Sequence, residues 1–261
     1  MAIGVGISGP RGGGGGGAAP SDPSSFSDAK GLFLGDRGLT FVDKQLDDWE
    51  NQGTAGTDAA AVSASGRIPS QSGKGFADYR DFAPLGEVNF KATGHTNTAI
   101  SAFTFEAINQ VRGSWNPPRH ITSLGNTNSA NYAALCWIGS SGFRCTIRTA
   151  SSNVDIYWSL SNMGLSDGDI FAYTLVYDGS QGINEDRMKL YINGVLKSQS
   201  TTPTIPATVT PDGTIQVTAT HTNYSSYSLI GGYIGYWERI LSDAEIAANQ
   251  TWKEEIWNVA P

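Results

Sequence analysis

Paired carboxylates, histidine clusters, thiols and aromatic rings are the side chains that could do chemistry in this chain. Retaining glycoside hydrolysis needs two carboxyl groups about 5–5.5 Å apart. The nearest approaches in sequence are Asp167-Gly168-Asp169, which is rich in turn signals, and Glu185-Asp186, which falls in a loop ahead of a strand starting at Met188. His95, His120 and His221 are widely separated, each in a polar or proline-rich stretch. They read as exposed or hydrogen-bonded histidines rather than as a triad or a metal cluster. Cys136 and Cys145 flank Gly139-Ser140-Ser141-Gly142, a hairpin turn that sets them opposite each other. Two uses are open, a cross-strand disulfide or a pair of small apolar thiols, and a reducing cytoplasm keeps thiols reduced. Two sulfurs without a nearby His or further Cys do not complete a tetrahedral metal shell. The glycine run Gly12 to Gly17 lacks a following Lys-Ser/Thr and a strand-then-helix frame, so it is no phosphate loop. The residues therefore predict no catalytic group, no metal and no cofactor.

Aromatic rings are the remaining chemical signal. Trp and Tyr offer an apolar body with a polar handle, which suits the flat apolar faces of sugars. Trp115, in Gly113-Ser114-Trp115-Asn116-Pro117-Pro118, is the best loop candidate for carbohydrate binding, and Tyr224 and Tyr227 come next. Packing or a subunit interface is the competing use of the Trp115 ring. Trp49, Trp137, Trp158 and Trp237 lie within strand-like stretches and are expected in the core.

The elements that must position these residues are mostly strands. The chain has 261 residues, 39% of them apolar and only 16% charged, with a net charge of −7. That balance, together with abundant Gly, Ser, Thr and Asn, suits an all-β protein with many turns and argues against a helical bundle. Nucleic-acid binding needs clustered Lys and Arg, and no basic run exists. No stretch reaches the roughly 18–20 apolar residues of a membrane span. The first residues have no basic stretch and no long apolar core, so no secretion signal is predicted and the chain is expected to fold in a cytoplasm.

Residues 1–25 read as a separate glycine-rich arm, expected to be a flexible coil in isolation because glycine loses the most entropy on ordering. Gly9-Pro10-Arg11 resembles a collagen triplet, but the period fails at once. From Phe26 onward strand signals dominate. Leu32-Phe33-Leu34 and Leu39-Thr40-Phe41-Val42 are short apolar runs, and Val88-Asn89-Phe90 is expected as a further strand. Gln52 to Ser65 reads as a long surface loop of small residues, and the segment around Ile68-Pro69 as irregular. Phe103 to Ala107 alternates as a strand with one buried face, whereas Ile170 to Tyr177 is apolar on both faces and predicts a central strand. Asn193-Gly194 marks a tight hairpin between Met188–Ile192 and Val195-Leu196. Leu229 to Trp237 predicts a last core strand, with glycines where another backbone approaches. Ser242-Asp243-Ala244-Glu245 is a capping box opening a helix to about Trp257, with Leu241 and Ile246 as its hydrophobic staple and Ile246, Ile256 and Trp257 facing the sandwich.

In that order, these segments resemble the laminin-G-like/concanavalin-A-like lectin–glucanase superfamily, in the branch found in bacterial surface proteins and phage structural proteins. The residues that carry the resemblance are Leu46-Asp47-Asp48-Trp49, Gly66-Arg67-Ile68-Pro69, Thr174-Leu175-Val176-Tyr177-Asp178-Gly179-Ser180, Leu190-Tyr191-Ile192-Asn193-Gly194-Val195, and Ile230-Gly231-Gly232 through Ile246. The resemblance implies a two-sheet antiparallel jelly-roll sandwich over residues 26–261, with a short C-terminal helix. Glucan-cutting members carry a Glu-x-Asp-x-x-Glu strand, which is absent here. Many members hold calcium with loop carboxylates. Asp178 matches a turn where the Asp braces the backbone, and Asp178 or Asp186 would be the ligand positions, but the six to eight oxygens calcium takes are not evident.

The expected function is that of a non-enzymatic virion structural protein: a phage head decoration, head-fibre or tail accessory subunit. The arm resembles those that fix accessory proteins to phage particles. Ile3, Val5 and Ile7 form an alternating apolar strip able to add a strand to a neighbour's sheet, and with Arg11 they are the candidate anchoring residues to other virion proteins. A homo-oligomer is expected, a trimer being the usual build of such fibres. The alternative is a carbohydrate-binding adhesion module recognising surface glycans.

Overall fold

A computed structural model describes residues 21–34, 39–42, 45–61, 68–69, 90–110, 119–125, 132–139, 142–149, 152–166, 169–200, 203–217 and 229–257. The arm residues 1–20 lie outside this set. In chain order the described chain forms a 3-10 turn (Ser24–Asp28), then β1 (Gly31–Leu34), β2 (Leu39–Val42), β3 (Gln45–Trp49), β4 (Ala59–Ala61), β5 (Ile68–Pro69) and β6 (Phe90–Ala92). There follow β7 (Ala102–Gln110), β8 (Arg119–Leu124), β9 (Tyr132–Gly139), β10 (Gly142–Thr149), β11 (Ser152–Ser159) and α1 (Leu160–Met163). The last part comprises β12 (Ile170–Asp178), α2 (Asn184–Arg187), β13 (Met188–Ile192), β14 (Val195–Lys197), β15 (Ile215–Val217), β16 (Leu229–Trp237) and α3 (Asp243–Trp257).

The strands form two antiparallel sheets. One has the order β1-β16-β7-β12-β13-β14; the other runs β11-β10-β9-β8-β15-β6-β4-β3-β2, with β5 beside β3. Strand periodicity sorts the side chains. On β7, Phe103 and Phe105 point into the sandwich, and Phe103 stacks on Tyr177 of β12 with ring centroids 5.1 Å apart. Tyr173 of β12 reaches across to the other sheet, where its hydroxyl is hydrogen-bonded to that of Thr122 on β8. Phe143 of β10 packs against both Tyr173 and Trp158.

Several expectations hold. β12 lies in the middle of its sheet, between β7 and β13, and its residues Phe171 to Tyr177 are buried on both faces. Asn193 and Gly194 have φ of 49° and 75°. Positive values at both positions are what a type I′ turn requires and what Asn-Gly tolerates. At the start of α3 the Ser242 backbone N–H donates to Glu245 Oε2 at 2.8 Å and the Glu245 N–H to Ser242 Oγ at 3.3 Å, which completes the capping box. Leu241 and Ile246 are both buried, as the staple requires.

Other expectations need correction. The small-residue stretch after Trp49 is not all loop, because β4 pairs with both β3 and β6. Ile68-Pro69, read as irregular, is a two-residue strand on β3. Glu185-Asp186 lies in the short helix α2 rather than in a loop. Of the strand expected at 88–90, Phe90 lies in β6, and residues 88 and 89 lie outside the described set. Gly235 admits side chains rather than another backbone, since a Cβ there would meet the Trp237 ring and the Tyr233 hydroxyl. The second face of β7 is not exposed, because Thr104 is buried against the segment at Arg239 and Leu241 and Glu106 beneath α3.

Candidate functional site

The chemical centre of the described molecule is that second face of β7. The register opposes Glu106 to Thr174 on β12 and to Gly235 on β16, so all three positions share one face of the sheet. Glu106 Oε1 accepts a 2.7 Å hydrogen bond from the Thr174 hydroxyl. Its Oε2 accepts from the Tyr233 hydroxyl at 2.8 Å and from Asn249 Nδ2 of α3 at 3.2 Å. Lys253, one turn further along α3, brings its Nζ to 3.2 Å from the same oxygen and to 5.3 Å from the centre of the Tyr233 ring. The ammonium contact is an ion pair without hydrogen-bond angles.

The cluster extends to the chain's first described element. Ser25 Oγ donates to Asn249 Oδ1 at 2.6 Å, and the Trp237 indole N–H donates to the Ser25 carbonyl at 2.7 Å. Phe26 packs edge-on against Trp252 at 5.0 Å, and Arg239 bridges Asp28 to Glu245. The 3-10 turn and α3 thus form one lid over the sheet, with Glu106 and Lys253 sealed beneath it. Burial pulls the Lys253 ammonium below its ordinary pKa, and the Glu106 charge partly restores it. The Tyr233 phenol is pushed well up, first by burial and then by Glu106. A carboxylate with no exposed surface, already bonded on both oxygens, is a structural anchor; no substrate reaches it.

Two other carboxylates among the described residues also close on the fold. Asp178 accepts from the Ser180 N–H and hydroxyl on Oδ1 and from Gln181 Nε2 on Oδ2. Partial burial raises its carboxyl, but these hydrogen bonds outweigh that and leave it below its ordinary value. It braces its turn, as the sequence reading expected. Asp186 sits on α2. Among the described residues no group of three or more His, Cys, Asp or Glu could hold a metal. On the face of β10 and β11 away from the core, Arg144 grips Asp155 through Nε at 3.0 Å and Nη2 at 2.7 Å, with its guanidinium 5.5 Å from the centre of the Tyr157 ring. His95 is 6% exposed, with neither ring nitrogen hydrogen-bonded. Its environment is Gly31, Gly56, Ile215 and the Tyr236 ring, and burial lowers its pKa to about 4. It is therefore neither exposed nor hydrogen-bonded, contrary to the sequence reading.

The residues singled out for recognition, Trp115, Tyr224 and Tyr227, lie outside the described residues, as do Ile3, Val5, Ile7, Arg11 and His221. Trp158 and Trp237 are buried, as expected. Trp137, expected in the core, is the register partner of Arg144. Its side chain and that of Trp49, also expected in the core, lie outside the described residues. α3 docks through Ile246, Asn249, Trp252 and Lys253. The side chains of Ile256 and Trp257 are outside the described set. Sequence reasoning missed Glu106 and Lys253 as partners. The available signal was the spacing of Asn249 and Lys253, at i+3 and i+7 from Ile246, which puts them on one helix stripe.

The architecture can be placed among solved structures. The fold is concanavalin-A-like. Trypanosoma rangeli sialidase superimposes with a TM-score of 0.52 at 13% identity, over 92% of this chain and 34% of that one. The binding domain of botulinum neurotoxin serotype D gives 0.50 at 14% identity, over 86% of this chain and 50% of that one. The chain thus spans about half of the neurotoxin binding domain and about a third of the sialidase. No family model matches the sequence, and no curated protein does.

Proposed function

We propose that this chain is a non-enzymatic module displayed on a larger particle, with its N-terminal arm as the anchor and the sandwich as the displayed part. The observation that supports it best is the sealed lid. Glu106, a fully buried carboxylate among the described residues, is consumed in holding α3 and the 3-10 turn to the sheet. The order of sequence motifs and the glycine-rich arm favour a phage virion as the particle, with this chain as a head decoration, head-fibre or tail accessory subunit among other virion proteins. Deleting residues 1–25 is expected to abolish incorporation into particles in a complementation assay. Wild-type incorporation of the truncated chain overturns the reading.

Glycan recognition is the second reading, and the fold favours it. Structures sharing it include a neurotoxin binding domain and a sialidase solved with 2,3-difluorosialic acid. The stacking residues are Trp115, Tyr224 and Tyr227. A glycan array is expected to give a signal that Trp115→Ala removes; a blank array, or one indifferent to the substitution, refutes it.

A further inference from the structure

Cys136 of β9 and Cys145 of β10 are direct partners across the strand pair, and both are fully buried thiols. The register tells more than proximity. Gly139 and Gly142 are the last partners before a two-residue connection. Such a connection closes on a hydrogen-bonded pair, and antiparallel pairs alternate from there between bonded and non-bonded. Ile138 with Phe143 is then non-bonded, Trp137 with Arg144 bonded, and Cys136 with Cys145 non-bonded. In a non-bonded pair the Cα atoms stand about 4.5 Å apart with side chains at their closest. That spacing falls within the roughly 4.4–6.8 Å a disulfide spans. Partners in register also share a face, so both sulfurs enter the same region of the core, beside the Tyr173 phenol.

We propose that Cys136 and Cys145 are a covalent modification site, a cross-strand disulfide that closes within one chain on reaction with a small-molecule disulfide such as oxidised glutathione. One cysteine thiolate attacks a sulfur of the oxidised glutathione and expels a glutathione thiolate. The second attacks the resulting mixed disulfide at the protein sulfur and expels the other. Two protein thiols are oxidised to one disulfide, the small disulfide is reduced to two thiols, and the two cysteine protons pass to the released glutathione. Because neither residue has solvent-exposed surface, the exchange needs the β9–β10 hairpin to open. Reaction is fast only while the hairpin is open and an oxidising disulfide is present. A chain folded in a reducing cytoplasm therefore keeps both thiols until the hairpin opens in an oxidising medium, and the same burial then shields the finished bond from reductant.

The test uses the full chain, refolded from denaturant with oxidised and reduced glutathione or with reductant alone. Thiols are then alkylated in denaturant and peptides mapped by mass spectrometry. The expected result is a monomer without alkylatable thiols, a cross-linked pair of peptides, and a melting midpoint several degrees above that of the reduced chain. Cys145→Ala should instead hold glutathione on Cys136. Native chain given the same buffer should oxidise at least tenfold more slowly than refolding chain. Two alkylatable thiols after oxidative refolding overturn the proposal, as do dimers linked between chains or a cross-linked chain that melts below the reduced one.

Discussion

Lys253→Met removes the ammonium beneath α3 and keeps a side chain of similar length, so it isolates the charge. Glu106 is left in a site without solvent exposure, retaining its hydrogen bonds from Thr174, Tyr233 and Asn249. Removing one partner of a buried ion pair costs about 3–5 kcal/mol, because the other charge stays behind uncompensated. Three remaining donors put the expected cost at the low end, about 3 kcal/mol, since hydrogen bonds to a charged group each contribute about 1.5–3 kcal/mol. A domain is stable by about 5–15 kcal/mol in total. At an m-value of about 2–3 kcal/mol/M the urea midpoint falls by about 1–1.5 M. Glu106→Gln should cost a similar amount, because it strands the ammonium instead. The double variant should cost less than the sum of the two by at least about 1 kcal/mol, the signature of residues in contact. Tryptophan fluorescence reports the transition, since Trp237 and Trp252 flank the cluster. Additive costs, or a Lys253→Met loss below about 1 kcal/mol with unchanged m, would refute the ion pair as the clamp on α3.

Three further outcomes are expected. His95 has a folded pKa of about 4 against an ordinary 6.5, so the unfolded state binds more protons between those values. Its contribution is complete above the ordinary value and is lost as pH falls through the folded one, by up to about 3 kcal/mol. Urea midpoints from pH 7 to 4 should show this limb in the wild type and lose it in His95→Leu. Gly235→Ala should cost about 1–3 kcal/mol in thermal or urea unfolding, because its methyl displaces the Trp237 ring or the Tyr233 hydroxyl. Asp178→Ala should cost about 1 kcal/mol near neutral pH. That loss should shrink in acid, since a carboxyl held below its ordinary value stabilises above the unfolded pKa and stops doing so as pH falls through the folded one.

Local chemistry was legible in the sequence wherever a few neighbouring residues decide the structure. Asn193-Gly194 and Ser242 to Glu245 carry their geometry in their side chains, and β12 declares itself by being apolar on both faces. Glu106 was not legible, because a glutamate in an alternating strand looks like a solvent-facing residue. What covers it arrives more than 140 positions later, on a helix whose buried stripe mixes Ile246 and Trp252 with Asn249 and Lys253. β4 was hidden for a different reason. Ala59–Ala61 has no β-branched or aromatic side chain, and its strand state comes from pairing with β3 and β6.

The lid has a mechanical consequence. The 3-10 turn near one end of the domain and α3 near the other are fastened to each other through Ser25 with Asn249, Phe26 with Trp252 and Asp28 with Arg239 and Glu245. The two elements therefore lie side by side on one sheet. A pull between them is borne first by this clasp and opens it contact by contact, while the paired strands behind it stay unloaded. The clasp is the first set of contacts that such a pull would load.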